Sequence, residues 1–378
     1  MRIVNVCGAR PNFMKVAPLM EAYRAHPRIE PLLVHTGQHY DANMSKLFFD
    51  ELGIPKPDVN LEVGSGSHAV QTAEIMKRFE PVVAEARPDV VLVVGDVNST
   101  VACALVARKM GVAVAHVEAG LRSFDETMPE EINRTLTDAI SNLLFVTEQS
   151  GMDNLAHEGV AAERVHFVGN VMVDTLMSHL ERARGRDALQ RLGLASKQYA
   201  VLTLHRPSNV DSAATLARLF DALRVIQNDL PVVYPAHPRT RTQLDAMTSA
   251  GRFGDMHNLR LVEPQGYLDF LCLLASARLV LTDSGGIQEE TTCLQVPCLT
   301  LRENTERPAT CSLGSNQLVG TDPERILAGY ERAMSGDLPC QTPPLWDGRA
   351  AERIAAILSQ WPDRAAAPRE PQARSEVR

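Results

Sequence analysis

The chain has 378 residues, more than one ordinary hydrophobic core organises, so two domains are expected. Apolar residues make up 45% and charged residues 22%, the composition of a soluble globular protein. A formal net charge of −8 excludes the broadly basic surface that non-specific nucleic-acid binding needs, so no nucleic-acid partner is expected. The longest apolar run, near Leu268–Leu281, is interrupted by Arg278 and too short to span a bilayer, so no membrane partner is expected either. The start, MRIVNVCGARP, lacks the apolar region and cleavage site of a signal peptide. Seven scattered cysteines without a CxxC pair point to reduced thiols, a cytoplasmic location and no structural metal.

The first half alternates short apolar strands with helical stretches. Strands are predicted at 3–7, 31–35, 90–95, 112–117, 143–146 and 165–169, with helices near 15–25, 68–85, 99–110 and 130–141. The strands are β-branched and apolar on both faces, as a buried parallel sheet requires. After a helical linker at 171–193 the pattern restarts, with strands at 199–204, 231–235, 259–263, 278–282 and 296–301. The expected fold is α/β, with two doubly wound Rossmann-like domains and a ligand cleft between the carboxyl ends of their strands. The expected limits are 1–170 and 171–347, with a helix at 348–361 rejoining the first domain and a disordered tail at 362–378. No GxGxxG follows the first strand, so an NAD site has no support and no cofactor is expected.

The polar motifs sit just after predicted strands. GARPNFMK places Arg10 and Lys15 near a helix start, a phosphate clamp or a solvated basic helix end. In GDVNST, Asp96 is a proton-transfer candidate or the N-cap of the next helix. In HVEAGLRS, Glu118 leaves a buried strand beside His116 and requires either a function or a pair with Arg122. In PEEINR, Glu130 and Glu131 suit a helix N-terminus, and Glu130 is one turn from Arg134. Carboxylates from several loops of one sheet edge favour acid–base chemistry.

The second array adds His205 and Arg206 in HRPSNVD, and His237 and Arg239 in PAHPR. His205 can bind phosphate, shuttle protons or be structural. TDSGGIQEE places Ser284, Gly285 and Gly286 at a helix start suited to a phosphate. Glu290, about one turn on, can accept both hydroxyls of a ribose, while Glu289 is read as solvated. Gln265 and Phe270 suit a base, and Arg307 in TERPAT a phosphate.

With these segments in order, the chain resembles the non-hydrolysing UDP-N-acetylglucosamine 2-epimerases across most of residues 1–320. The resemblance runs from GARPNFMKVAPL through TGQHYDANM, GDVNST, HVEAGLRS, MPEEINR, HRPSNVD and LTDSGGIQEE to ENTERPAT. It implies a GT-B type pair of domains, usually a homodimer, that interconverts UDP-GlcNAc and UDP-ManNAc for bacterial surface polysaccharide. UDP would be eliminated to 2-acetamidoglucal and then re-added. Arg10, Lys15, His205, Gln265, Phe270, Ser284, Gly285, Gly286, Glu290 and Arg307 would hold the nucleotide sugar, and Asp96, Glu118 and Glu130 would move protons, His205 being a further catalytic candidate.

A possible regulatory site for a second UDP-GlcNAc would include Gln38, His39, Gln71 and His237. Two departures stand out. Ser208 occupies a position where the family often has glutamate, which leaves room for a modified UDP-sugar. SGSHAVQT (65–72) keeps only Gln71 of an Arg-Gln pair, which argues against activation by substrate. A GT-B glycosyltransferase with a UDP-sugar donor is the main alternative.

Overall fold

A computed structural model describes residues 1–37, 51–53, 55–236, 241 and 256–362, with the Arg10 side chain outside the description. Two all-parallel sheets carry the fold, with strand orders β3-β2-β1-β4-β5-β6-β7 and β10-β9-β8-β11-β12-β13. The first contains β1 (Arg2–Cys7), β2 (Glu30–His35), β3 (Val59–Asn60), β4 (Val90–Val94), β5 (Ala113–Ala119), β6 (Leu143–Val146) and β7 (Val165–Phe167). The second contains β8 (Ala200–Thr203), β9 (Val232–Pro235), β10 (Leu259–Val262), β11 (Leu279–Thr282), β12 (Cys298–Thr300) and β13 (Asn316–Leu318). All five residues of β4 are buried, which explains its unbroken VVLVV rather than an alternating pattern.

The helices of the first array are α1 (Arg10–Tyr23), α2 (His68–Ala86), α3 (Asn98–Lys109), α4 (Pro129–Ile140) and α5 (Gln149–His157). α6 (Val171–Arg184) crosses to the second array, followed by α7 (Ala213–Asp229), α8 (Tyr267–Ser276), α9 (Gly285–Leu294), α10 (Pro323–Ser335) and α11 (Ala350–Ser359). The first helix begins at Arg10, five residues before the sequence pattern suggests, with Pro11 in its first turn. Asn12 turns its side-chain oxygen back onto the N–H groups of Gly8 (3.1 Å) and Ala9 (2.8 Å). The predicted linker helix stops at Arg184, and only a helical turn at Ala188–Arg191 follows. The edge strands β3 and β13, two and three residues long, escape a reading based on alternation.

Both sheets turn their carboxyl edges toward the same region. Thr203 and Thr282, at the ends of β8 and β11, join hydroxyls at 2.6 Å. α11 returns to the first array, where Ala351, Ile354 and Leu358 share a buried cluster with Val16 and Leu19 of α1. Asp174 on α6 accepts the N–H groups of Ala350 (3.1 Å) and Ala351 (2.6 Å), so one carboxylate caps the returning helix. Trp346, 1% exposed, anchors the approach by donating its indole N–H to the Thr147 carbonyl at 2.8 Å.

Among the described residues, no helix is long and apolar enough to cross a membrane. The cysteines are free thiols; Cys7, Cys103, Cys272 and Cys298 are buried, and Cys340 is exposed.

Removing the cap tests the closure of the chain. Asp174→Ala is expected to lower unfolding stability by about 1 kcal/mol in urea, with amide exchange accelerated in α11 before the rest. Unchanged α11 protection would show that side-chain packing alone holds this helix.

Candidate functional site

The site is built where the first sheet's loops meet the second. β5 bulges between Val117 and Ala119, and Glu118 adopts a left-handed backbone with φ 76°. A non-glycine residue held there costs about 1–2 kcal/mol, so the surroundings must impose it. Gly95 and Gly120 flank it, with φ 67° and 80°. A Cβ on Gly120 would stand 2.5 Å from the Gly151 carbonyl oxygen.

Beneath the bulge, His116 is fully buried and bonds Asp138 at 2.6 Å and the Gly95 carbonyl at 2.8 Å. Asp138 also accepts from the Gly120 N–H (3.0 Å) and pairs with Arg122 (2.8 Å).

Glu118 therefore points away from Arg122. Its carboxylate accepts from Lys15 on α1 and, at 2.8 Å, from Arg307 of the second array. The bland Glu118–Arg122 pair is not formed, because Asp138 and Glu158 occupy that guanidinium.

Asp96 does not cap α3, whose N-cap is Val97 without a side-chain bond. Instead it accepts from Arg134 at 2.5 Å. The other arm of Arg134 goes to Glu131 at 2.5 Å, so the expected Glu130–Arg134 pair is replaced. Glu131 also takes the N–H groups of Ser123 and Phe124. Burial raises the Asp96 carboxyl, but Arg134, Lys15 and Arg307 outweigh it and hold the group below its ordinary range. Glu130 stands half-exposed on the first turn of α4 and contributes to the field at Arg206.

On the second array, Ser284 N-caps α9 without using its hydroxyl on the cap. Gly285 lets Arg307 come close: a Cβ there would lie 2.6 Å from Arg307 Nη1, so a side chain would displace the guanidinium. Arg307 donates to Glu289 at 2.7 Å, to Glu118 at 2.8 Å and to Glu306. Glu289, 1% exposed, is thus part of the buried centre and not solvated. Burial pushes its carboxyl upward, only partly opposed by an arginine it shares.

His205 is 62% exposed, and its Nδ1 bonds Asp283 at 2.7 Å. Asp283, fully buried, also accepts the N–H groups of His205 and Arg206 and the Asn209 amide. Burial raises the Asp283 carboxyl, and the His205 and backbone bonds bring it below its ordinary range.

Glu290 is buried against Tyr267. Gln265 donates its amide to the Glu263 carbonyl at 2.6 Å, and Phe270 packs half-buried on the main core.

Gln71 is spent internally, donating to Gly64 O (3.1 Å) and accepting from Asn98 (2.8 Å). Gln38, His39 and His237 lie outside the described residues. Lys15, Asp96, Glu118, Glu289 and Arg307 thus form one electrostatic group, with Ser284–Gly286 beside it.

Sequence reasoning missed the supports Asp138 and Asp283, and it read Glu131 only as suiting a helix N-terminus. The i, i+4, i+8 spacing of Glu130, Arg134 and Asp138 marks one helix face and was the available signal. Among the described residues no His/Cys/Asp/Glu cluster could hold a metal ion.

A model of the family described as UDP-N-acetylglucosamine 2-epimerase matches residues 21–359. A UDP-N-acetylglucosamine 2-epimerase homolog of Methanococcus maripaludis is 45% identical over 88% of this chain and 92% of its own. A UDP-2,3-diacetamido-2,3-dideoxy-D-glucuronate 2-epimerase of Pseudomonas aeruginosa is 40% identical, covering 95% of this chain and 100% of its own. The crystal structure of Methanocaldococcus jannaschii UDP-GlcNAc 2-epimerase, in complex with UDP-GlcNAc and UDP, superposes with a TM-score of 0.87. It is 40% identical over 95% of this chain and 99% of that one.

Burial, then repulsion from Glu289, pushes the Glu290 carboxyl up from 4.5 to about 8. The folded state therefore holds this proton more tightly than the unfolded chain does. Its stabilisation is complete below pH 4.5 and is lost as pH rises through about 8. In the ligand-free protein the urea midpoint is expected to fall across that window. Glu290→Gln, neutral throughout, should flatten the fall; an unchanged slope would contradict this environment.

Proposed function

The chain belongs to the UDP-N-acetylglucosamine 2-epimerase family, and from that premise we propose that it interconverts UDP-GlcNAc and UDP-ManNAc by eliminating and re-adding UDP. The supporting observation is the convergence of Asp96 and Glu118 with Arg307 and the Ser284–Gly286 helix start. Proton-transfer groups and diphosphate-stabilising groups are what this reaction needs at adjacent points. The diphosphate takes the backbone N–H groups of Gly285 and Gly286 beside Ser284, whose own N–H goes to the Thr282 hydroxyl at 3.0 Å, and competes with Glu118 for Arg307 and Lys15. Glu290 receives the ribose hydroxyls, and Gln265 and Phe270 border the base. Arg10 adds a cation at the start of α1.

A carboxylate removes the C2 proton, and the C–H electron pair becomes the C1–C2 double bond. The C1–O pair leaves with UDP. In the return step UDP oxygen attacks C1 and a proton reaches the opposite face of C2. Asp96, Glu118 and Glu130 are the proton-transfer groups, with His205, oriented by Asp283, completing the anion cradle. The product suits surface polysaccharide synthesis.

A second reading, a modified sugar carrying a carboxylate, has one observation in its favour. Nη1 of buried Arg302 has no partner among the described residues, and Arg302 lies in the field of Arg206. Ser208 leaves the nearby loop without the family's frequent glutamate.

The first reading predicts UDP-ManNAc from UDP-GlcNAc, without any acceptor, by NMR product analysis. Asp96→Asn and Glu118→Gln should each lose about 10²–10⁴-fold in turnover while retaining UDP binding. Near-normal turnover in both variants would sink the assignment. Conversion of a UDP-aminouronate in preference to UDP-GlcNAc would favour the second reading.

The proposed assembly is a homodimer through the α2–α4 face. Val70, Ile132 and Leu136 are exposed there at 59%, 51% and 51%. Of these, Ile132 also lines a groove of about 410 Å³ together with Ala73 and Met76. A joint Ile132→Lys and Leu136→Lys change is expected to give monomers by light scattering. A wild-type monomer at micromolar concentration would refute the dimer.

A further inference from the structure

α4 does more than carry Glu130. We propose that Arg134, fixed by Glu131, is a positioning residue that aims the Asp96 carboxylate at the reacting carbon and ties that aim to the 123–124 loop. The proposal rests on the reading of Asp96 as a proton-transfer group.

The geometry is specific. One guanidinium spans Asp96 and Glu131 at 2.5 Å each, and Arg134 is buried at 3% exposure. A planar fork can bridge two carboxylates in a fixed orientation, which a lysine ammonium cannot reproduce. Glu131 is itself immobilised by the Ser123 N–H, the Ser123 hydroxyl (2.9 Å) and the Phe124 N–H (2.9 Å).

Phe124 is held with φ 57° and is 78% exposed. A large apolar residue in a left-handed backbone at such exposure gains nothing from packing, so the Glu131 bonds account for its conformation. Asp125, one residue on, accepts from Asn304 of the second array at 3.2 Å. The loop therefore touches the opposite domain while Glu131 and Arg134 connect it to Asp96.

A second bond fixes the Asp96 backbone, whose carbonyl accepts from Asn133 at 2.9 Å. The charged groups facing Asp96 are Arg134 from α4, Lys15 from α1 and Arg307 from across the cleft. Those facing Arg134 are Asp96, Glu306 and Glu131. Loss of the arginine charge would therefore let the Asp96 carboxyl rise toward its ordinary range.

The test compares Arg134→Lys, Arg134→Met, Glu131→Gln and Asp96→Asn with the wild type. Turnover of UDP-GlcNAc is followed against pH, with UDP affinity by calorimetry and melting temperature alongside. Arg134→Lys and Glu131→Gln should lower kcat roughly 10–100-fold with UDP affinity changed less than about threefold. Arg134→Met should move the acid limb of the kcat profile upward.

Wild-type kcat and acid limb in all three α4 variants, beside an inactive Asp96→Asn, would overturn the positioning role alone. Activity lost only in proportion to UDP affinity and melting temperature, with the limb unmoved, would likewise overturn it as merely structural. A fully active Asp96→Asn would overturn both this inference and the reading of Asp96 on which it rests.

Discussion

The site depends on one guanidinium shared by three carboxylates. Arg307 bonds Glu118 from one array and Glu289 and Glu306 from the other, all at 5% exposure or less. Buried charges are tolerated only when paired, and one cation cannot fully compensate three anions. Arg302 relieves Glu306 at 2.8 Å, and Lys15 relieves Glu118. Among the described residues Glu289 has no second cation bonded to it, and it is the member that burial pushes upward. The same crowding suits Gly285, where a side chain would push Arg307 and Glu306 out of their present positions. Arg307, divided among three carboxylates beside a helix N-terminus, can exchange Glu118 for an arriving diphosphate, as the proposed reaction requires.

The second constraint is backbone shape at the carboxyl edge of the first sheet. Glu118 reaches Arg307 only because β5 bulges and turns left-handed. His116, Asp138 and Gly120 enforce that turn from below. Asp138 belongs to α4, which also supplies Arg134 to Asp96. A single helix thus sets two of the carboxylate loops through side chains about one turn apart. Helices give such placement more reliably than loops, because their rotamers are fixed by packing.

Much of this was legible in the sequence. Unbroken apolar runs such as VVLVV revealed the parallel strands, and polar residues directly after them marked the cleft edge. The two-sheet architecture followed, as did most helix limits within two residues. Alternation gave no handle on β3 and β13, because two or three residues define no period.

Pairing was less legible. Arg122, Arg134 and Glu289 each had an obvious local explanation, and each was redirected by a residue distant in sequence. Arg122 found Asp138 and Glu158, Arg134 found Asp96, and Glu289 found Arg307. Local spacing proposes i, i+4 pairs worth a few tenths of a kcal/mol; a buried unpaired charge costs several, so tertiary partners win. Asp283 went unread for a similar reason: its neighbours Ser284 and Gly285 had the evident chemistry, while its own role is to orient His205 from beneath.

The central claim is that Asp96, Glu118 and Glu130 exchange a proton at C2 while UDP departs beside Arg307. The most direct measurement is incubation of UDP-GlcNAc with the enzyme in deuterium oxide, followed by NMR of the sugar ring. The account predicts solvent deuterium at C2 of the UDP-ManNAc formed, and at C2 of recovered UDP-GlcNAc as the reaction reverses. UDP-ManNAc that keeps its original C2 hydrogen, or no conversion while UDP-GlcNAc binds, would contradict it.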